Sequence, residues 1–324
     1  WIAFTSKRES VGQAFQPDAS GEKRQAGKPD LQQIYLISPD GGEAKQLSKL
    51  PMNASGLKWG ADSKAVYCVV RTWPDTPDDE SYTKREKERK NSKAQPYIID
   101  DALYRVWDKW VADGKRPVVF AVDVENGSHR NLFANVKRTL PITAGSASDY
   151  DISPDGKEIC FTSESSKELG MDFNLDLYVM SIDGKGEPKN LTPDNPAGDF
   201  APVYSPDGTA IAFLRQTTKF FYADRTRIMV HDRAKQKNRE ITAKLDRSCS
   251  SHQWMPDSKK LVFEAESMGY HRLYTVGVTN ADVQFLTTDY ADVAPALSRN
   301  GQTLVALRSS FDLPASLVRV GFTG

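Results

Sequence analysis

Apolar and polar residues alternate along most of this chain in short runs, and each run is bounded by a cluster of Ser, Pro, Asp, Asn and Gly. That period-two pattern predicts half-buried β-strands joined by tight turns. One unit is written repeatedly. Ile152-Ser153-Pro154-Asp155-Gly156 leads into Ile159 and Phe161, and Tyr204-Ser205-Pro206-Asp207-Gly208 leads into Ile211 and Phe213. Looser copies are Trp254-Met255-Pro256-Asp257-Ser258 before Leu261 and Phe263, Leu297-Ser298-Arg299-Asn300-Gly301 before Leu304, and Trp59-Gly60-Ala61-Asp62-Ser63 before Val66 and Cys68. Pro presets the first turn dihedral, Asp bonds its own backbone, and Gly or Ser relieves the tight position.

A third strand follows each unit, at Ile34-Tyr35-Leu36, Val118–Val122, Leu177-Tyr178-Val179, Ile228-Met229-Val230 and Leu273–Val276. A short fourth closes on Leu47-Ser48, Leu191-Thr192, Ile241-Thr242 and Leu286-Thr287. One four-stranded sheet cannot bury both of its faces alone, so a repeat of this kind predicts stacked blades. The fold class is therefore read as all-β, a β-propeller of four-stranded antiparallel blades. Six units are visible. The first opens on its second strand, Trp1 to Phe4, and the last stops after its third, Leu317 to Val320, so both end units read as incomplete. Residues 1–324 are read as a single propeller domain, and the chain as a piece trimmed from a longer polypeptide.

Long insertions fall between second and third strands: Thr5–Gln33, Arg71–Leu103, Glu164–Asn174 and Gln216–Arg227. Alternate connections of an up-and-down sheet share a face, so these loops are expected on one side, the side that commonly binds. Residues 5–33 read as a mobile loop without secondary structure. Residues 71–103 are highly charged, and Glu86 with Lys90 at i,i+4 supports a short exposed helix, either a docking arm or a solvated surface. Leu103-Tyr104-Arg105-Val106-Trp107-Asp108-Lys109-Trp110 carries two of the six tryptophans, with Asp113-Gly114 after it as a hairpin turn. Arg105, Trp107, Asp108 and Trp110 are the candidate substrate-binding residues, a rim that could grip a peptide terminus or side chain. Alternation would instead put Tyr104, Val106, Asp108 and Trp110 on one packing face. Phe221 and Tyr222, beside Phe220, are candidate contacts with a partner domain.

Composition narrows the function. Forty-three Lys+Arg balance 43 Asp+Glu, and this neutrality argues against a dedicated nucleic-acid binder. No apolar run approaches the roughly 18–20 residues that span a bilayer, so no membrane span and a soluble chain are expected. Three cysteines without a CxxC pair exclude a disulfide framework and a structural zinc site. There is no G-x-S-x-G elbow, no H-E-x-x-H, no Walker loop and no Gly-rich dinucleotide turn. His129 reads as a turn residue. Asp172-x-Asn174-x-Asp176 lacks the glycine and distal glutamate of a calcium loop. No catalytic residue, metal site or cofactor is assigned.

The S-P-D-G-x-x-φ-x-φ unit, the L-Y-φ-φ third strand followed by Asp183-Gly184 and the closing L-T resemble the propeller of prolyl oligopeptidase-family serine peptidases. The block from Tyr104 to Trp110 through Asp113-Gly114 to Val124 is most similar to the bacterial dipeptidyl-peptidase and acylaminoacyl-peptidase branch. The likeness covers the chain apart from Thr5–Gln33. It implies an N-terminal propeller that screens and positions peptide substrates and is inert alone. Its partner would be a C-terminal α/β-hydrolase domain of the same polypeptide, in a periplasmic or secreted enzyme. The paired glutamates of the best-known dipeptidyl peptidases are missing, and the turn motif also resembles the periplasmic propeller of the Tol-Pal system. A stand-alone propeller that binds protein or peptide is thus the alternative.

Overall fold

The computed structural model describes residues 1–7, 31–94, 96, 98–99, 103–106, 108–166 and 174–322. Most of the Thr5–Gln33 insertion and part of Glu164–Asn174, Asp172 included, therefore lie outside the described residues. The described chain forms two compact units, Trp1–Ala147 and Ser148–Gly324.

The first unit holds two antiparallel sheets. One has β1 (Ile2–Ser6), β2 (Gln33–Ile37) and β3 (Lys45–Gln46) in chain order. The other starts with β4 (Ser55–Trp59) and β5 (Ala65–Thr72). The chain then leaves the sheet for helix α1 (Asp79–Asn91) and a two-stranded hairpin of β6 (Arg105–Val106) and β7 (Lys109–Trp110). It returns as β8 (Arg116–Asp123), which pairs with β5, and ends in β9 (His129–Asn131). His129 is therefore a strand residue and not a turn residue. The excursion runs on past Leu103 to Lys115, because β8 begins only at Arg116.

The second unit repeats the four-stranded sheet three times. Its sheets are β10 (Tyr150–Ile152), β11 (Glu158–Glu164), β12 (Leu175–Ser181) and β13 (Lys189–Asn190); then β14 (Asp199–Tyr204), β15 (Ala210–Arg215), β16 (Arg227–Asp232) and β17 (Lys237–Glu240); then β18 (Cys249–Trp254), β19 (Lys260–Ser267), β20 (Tyr270–Gly277) and β21 (Val283–Phe285). A three-stranded sheet of β22 (Ala291–Leu297), β23 (Leu304–Ser309) and β24 (Ser316–Val320) follows. The six sheets are the blades of a six-bladed β-propeller, and the first and last have three strands each.

Strand alternation explains the packing of the second unit. On β15, Ile211 and Phe213 bury against Cys160 and Leu177 of the preceding blade, while Ala212 and Leu214 bury against Trp254 and Phe263 of the following one. Residues i and i+2 share a face and i+1 takes the other, so a central strand serves two interfaces and must be apolar throughout. Along β19, Leu261 and Phe263 face one neighbour and Val262 the next.

The closing Leu-Ser/Thr pairs are a recurrent clasp. In four blades the Leu or Ile amide donates to the carbonyl of a fully buried residue on the neighbouring strand (Leu47 to Ile34, Leu191 to Leu177, Ile241 to Ile228, Leu286 to Leu273) at 2.8–3.0 Å. The next hydroxyl accepts the amide of that same residue: Ser48 from Ile34, Thr192 from Leu177, Thr242 from Ile228 and Thr287 from Leu273, at 2.9–3.0 Å. A short strand thus satisfies both backbone groups of one buried residue, which would otherwise cost free energy. In the second blade Leu132 keeps the amide bond to Val119, but Phe133 stands where the hydroxyl would be.

First strands carry a second shared device, a bulge whose extra residue is left-handed: Gly56, Ala201, Ser251 and Ala294, at φ of 56°, 55°, 47° and 53°. At Gly56 the backbone of Ser146 would lie 2.7 Å from any Cβ, so a side chain is excluded there.

Candidate functional site

A concavity of about 620 Å³ in the first unit is bordered by the second blade and the excursion between β5 and β8. Val69 and Val70 of β5, Met52, Ile142 and Ala144 make an apolar floor. Val106, Asp108, Trp110 and Val111 from the hairpin line one side, and Tyr82 of α1 with Lys115 another.

The hairpin replaces the single extended strand expected from the sequence, and the turn at Asp113-Gly114 is present but leads into β8 without pairing β7 to it. Arg105 pairs with Trp110 and Val106 with Lys109, so the chain reverses between Val106 and Lys109. Asp113 instead shapes the way into β8. Its carbonyl accepts the Trp73 indole N–H at 2.8 Å, and its Oδ1 accepts the Lys115 amide at 3.1 Å.

Of the four residues singled out on the rim, Asp108 and Trp110 line the cavity. Trp107 lies outside the described residues. Arg105 stays outside the lining and stands with its guanidinium 5.8 Å from the centre of the Trp110 ring, which Tyr104 meets at 5.8 Å between centroids. Its visible action is thus on Trp110. Asp108 is exposed, and among the described residues no group donates to its carboxylate.

The other charged groups of the lining are engaged. Arg71 donates from Nη1 to the Ile142 carbonyl at 2.6 Å and from Nη2 to that of Lys115 at 3.3 Å. Burial pulls its pKa below an ordinary arginine's, and Asp113 opposes that pull. Lys115 donates from Nζ to the Tyr82 hydroxyl at 2.9 Å and to Glu86 Oε2 at 3.0 Å. The same ammonium lies 4.4 Å and 5.0 Å from the ring centres of Trp73 and Tyr82. Burial works against ionisation of Glu86, but hydrogen bonds from Arg89 and Lys115 outweigh it and take the carboxyl down to about 2. Sequence reading missed Arg71, Tyr82 and Lys115. None sits in a motif, and the Glu86–Lys90 pair it did find is present at 3.3 Å on the outer side of the same carboxylate.

Phe221 and Tyr222 belong to the second unit. With Phe220 they are 55%, 82% and 65% exposed. Their loop is braced from beneath: Asp224 Oδ2 accepts the amides of Thr217 and Thr218 at 2.6 and 3.1 Å and an Arg227 N–H at 3.0 Å. Against the upward pull of burial, these donors hold the Asp224 carboxyl well below the usual carboxylate range. Gln216 also donates to the carbonyls of Tyr222 and Asp224, each at 2.9 Å. Among the described residues, no cluster of three His, Cys, Asp or Glu is placed to hold a metal, and no helix is long and apolar enough to cross a membrane.

Repeated four-stranded antiparallel blades with one long excursion define a β-propeller domain. The chain is related to the propeller domains of prolyl oligopeptidase-family serine peptidases, and the curated relatives it matches are dipeptidyl peptidases. It is 28% identical over 357 residues to dipeptidyl-peptidase 5 of Porphyromonas gingivalis, a match covering 95% of this chain and 52% of that protein. Among solved structures, acylaminoacyl peptidase from Pyrococcus horikoshii superposes with a TM-score of 0.64 at 15% identity, over 90% of this chain and 40% of that one. TolB from Acinetobacter baumannii does so with a TM-score of 0.53 at 18% identity, over 90% and 60%. Both structural likenesses bear on the fold alone. No family model matches the chain. The chain spans about half the length of the curated relative named here.

Proposed function

We propose that residues 1–324 work as one propeller domain that screens and positions peptides for a serine exopeptidase of the dipeptidyl or acylaminoacyl type. Bond cleavage would fall to a C-terminal α/β-hydrolase domain of the same polypeptide, in a periplasmic or secreted enzyme. The observation that carries this reading is the cavity: apolar walls with one unengaged carboxylate, Asp108, on the lining. Such a site takes an apolar residue bearing a positive group, which describes the amino end of a peptide. Trp110, braced by Arg105 and Tyr104, offers a flat face beside it. Held there, a peptide loses orientational freedom before reaching the nucleophile, which is how a domain without a catalytic residue contributes to rate. The braced Phe221–Tyr222 loop is a surface suited to the neighbouring domain. The alternative, a stand-alone protein-binding propeller of the Tol-Pal type, has the fold likeness to TolB behind it, whereas sequence likeness over 95% of the chain supports the peptidase reading.

In the full-length peptidase, Asp108→Asn and Trp110→Ala should each raise KM for short peptides about tenfold while kcat stays within about twofold, the pattern of lost uniform binding. Arg105→Ala should act more weakly and in the same direction. Peptide kinetics indistinguishable from the parent enzyme in all three would overturn the proposal.

A further inference from the structure

Helix α1 has little to hold it. Of its 13 residues only Tyr82 is buried. A helix of this length is marginal in water by itself and depends on tertiary contacts for its stability. Arg85 pairs with Asp75 and lies 4.6 Å from the centre of the Trp73 ring, and the better-buried contacts of the helix converge on Lys115. That side chain is 11% exposed and its Glu86 partner 17%, so the pair is largely screened from water. The backbone of Lys115 is fixed from two sides, the amide by Asp113 Oδ1 and the carbonyl by Arg71 Nη2. Its ammonium reaches across to the Tyr82 hydroxyl and Glu86, over the faces of Trp73 and Tyr82, whose rings meet at 5.1 Å. A blade-anchored residue thus holds the middle of the helix. A second fastening joins Asp79 to His129 of β9 at 3.1 Å, near the first turn.

Tyr82 and Lys115 both line the cavity. We infer that α1 is a latched wall of this pocket and that the Glu86–Lys115 pair is the latch, with Lys115 acting as a positioning residue for Tyr82. Releasing the pair frees the helix from Glu86 onward and loosens the brace that Lys115 puts on the Tyr82 hydroxyl, so the tyrosine leaves the lining. The wall then no longer limits the size of the group that enters. The ligand half of this inference rests on the pocket binding a peptide's amino end; the latch itself does not.

The test uses the whole chain, with Glu86→Gln and Lys115→Met as latch variants, Lys115→Arg as the conservative variant, and Glu88→Gln as a control with the same charge change on an exposed position. Thermal melts establish that each variant is folded. Trypsin reads the latch, because Lys84, Arg85, Lys87, Arg89, Lys90 and Lys93 are all exposed on or beside the helix. Cleavage within residues 84–93 should accelerate about tenfold in Glu86→Gln and Lys115→Met, and stay within about threefold of the parent in Lys115→Arg and Glu88→Gln. Binding of L-phenylalaninamide against L-alaninamide, followed by tryptophan fluorescence, reads the wall. The preference between the two amides should change at least fivefold in the latch variants. Cleavage in the latch variants no faster than in Glu88→Gln overturns the inference, and so does faster cleavage with the amide preference unchanged. If neither amide binds the parent chain, the peptide-positioning reading fails, and the latch is then decided by the trypsin result alone.

Discussion

At the scale of single residues, charge on the first unit is organised by burial. Lys115 lies over two aromatic faces and donates to two oxygens, a desolvated setting in which one ammonium is worth more than on a surface. Glu86 answers it with a carboxyl held down to about 2. A carboxyl lowered on folding stabilises fully above its unfolded value and loses that contribution as pH falls through the folded one. The protection of α1 amides against hydrogen exchange should therefore exceed that of Glu86→Gln by a constant factor above about pH 5, with the gap closing towards pH 2. A gap that has already closed by about pH 4 would show that the carboxyl is not held below its ordinary value. Little of this was readable beforehand. The Glu86–Lys90 spacing is local and visible in a helix pattern, whereas Lys115 is 29 residues from Glu86 and meets it only because β8 returns beside β5.

Among the elements, the closing strand of each blade shows how a two-residue ladder can hold. The strand Lys189–Asn190 is only two residues long, yet Leu191 and Thr192 after it occupy both backbone groups of Leu177. Replacing Thr242 by Val keeps the shape and strands the buried amide of Ile228 without its acceptor. That should lower stability by about 1–3 kcal/mol in urea unfolding, with an unchanged m-value. A loss under a few tenths of a kcal/mol would mean that the hydroxyl is incidental to the clasp. The Leu-Ser/Thr pairs were legible because they recur. The β6–β7 hairpin was not, since no Asn-Gly or Asp-Gly stands between Val106 and Lys109 to announce a tight turn. Asp113-Gly114 carries that signature but turns the chain towards β8 instead.

For the whole molecule, 43 basic and 43 acidic residues leave no net charge near pH 7.1. Colloidal repulsion is weakest there, so solubility should pass through a minimum near neutrality and rise on either side. Turbidity across pH 5–9 measures it, and a monotonic curve would show that local patches govern association instead.

Local chemistry along the chain was enough to specify the repeating blade. Turn residues with preset dihedrals and period-two alternation act over a few positions, and a sheet with two apolar faces has to be stacked on others like itself. Their recurrence also placed the excursions between second and third strands. The cavity is a different kind of object. Its floor at Val69 and Ile142, its side at Asp108 and Trp110 and its wall at Tyr82 and Lys115 come from segments that touch only after β5 and β8 have paired. Contacts between such distant positions carry no periodicity, so only the tertiary structure decided which residues share the pocket and which, like Arg105, merely brace one that does.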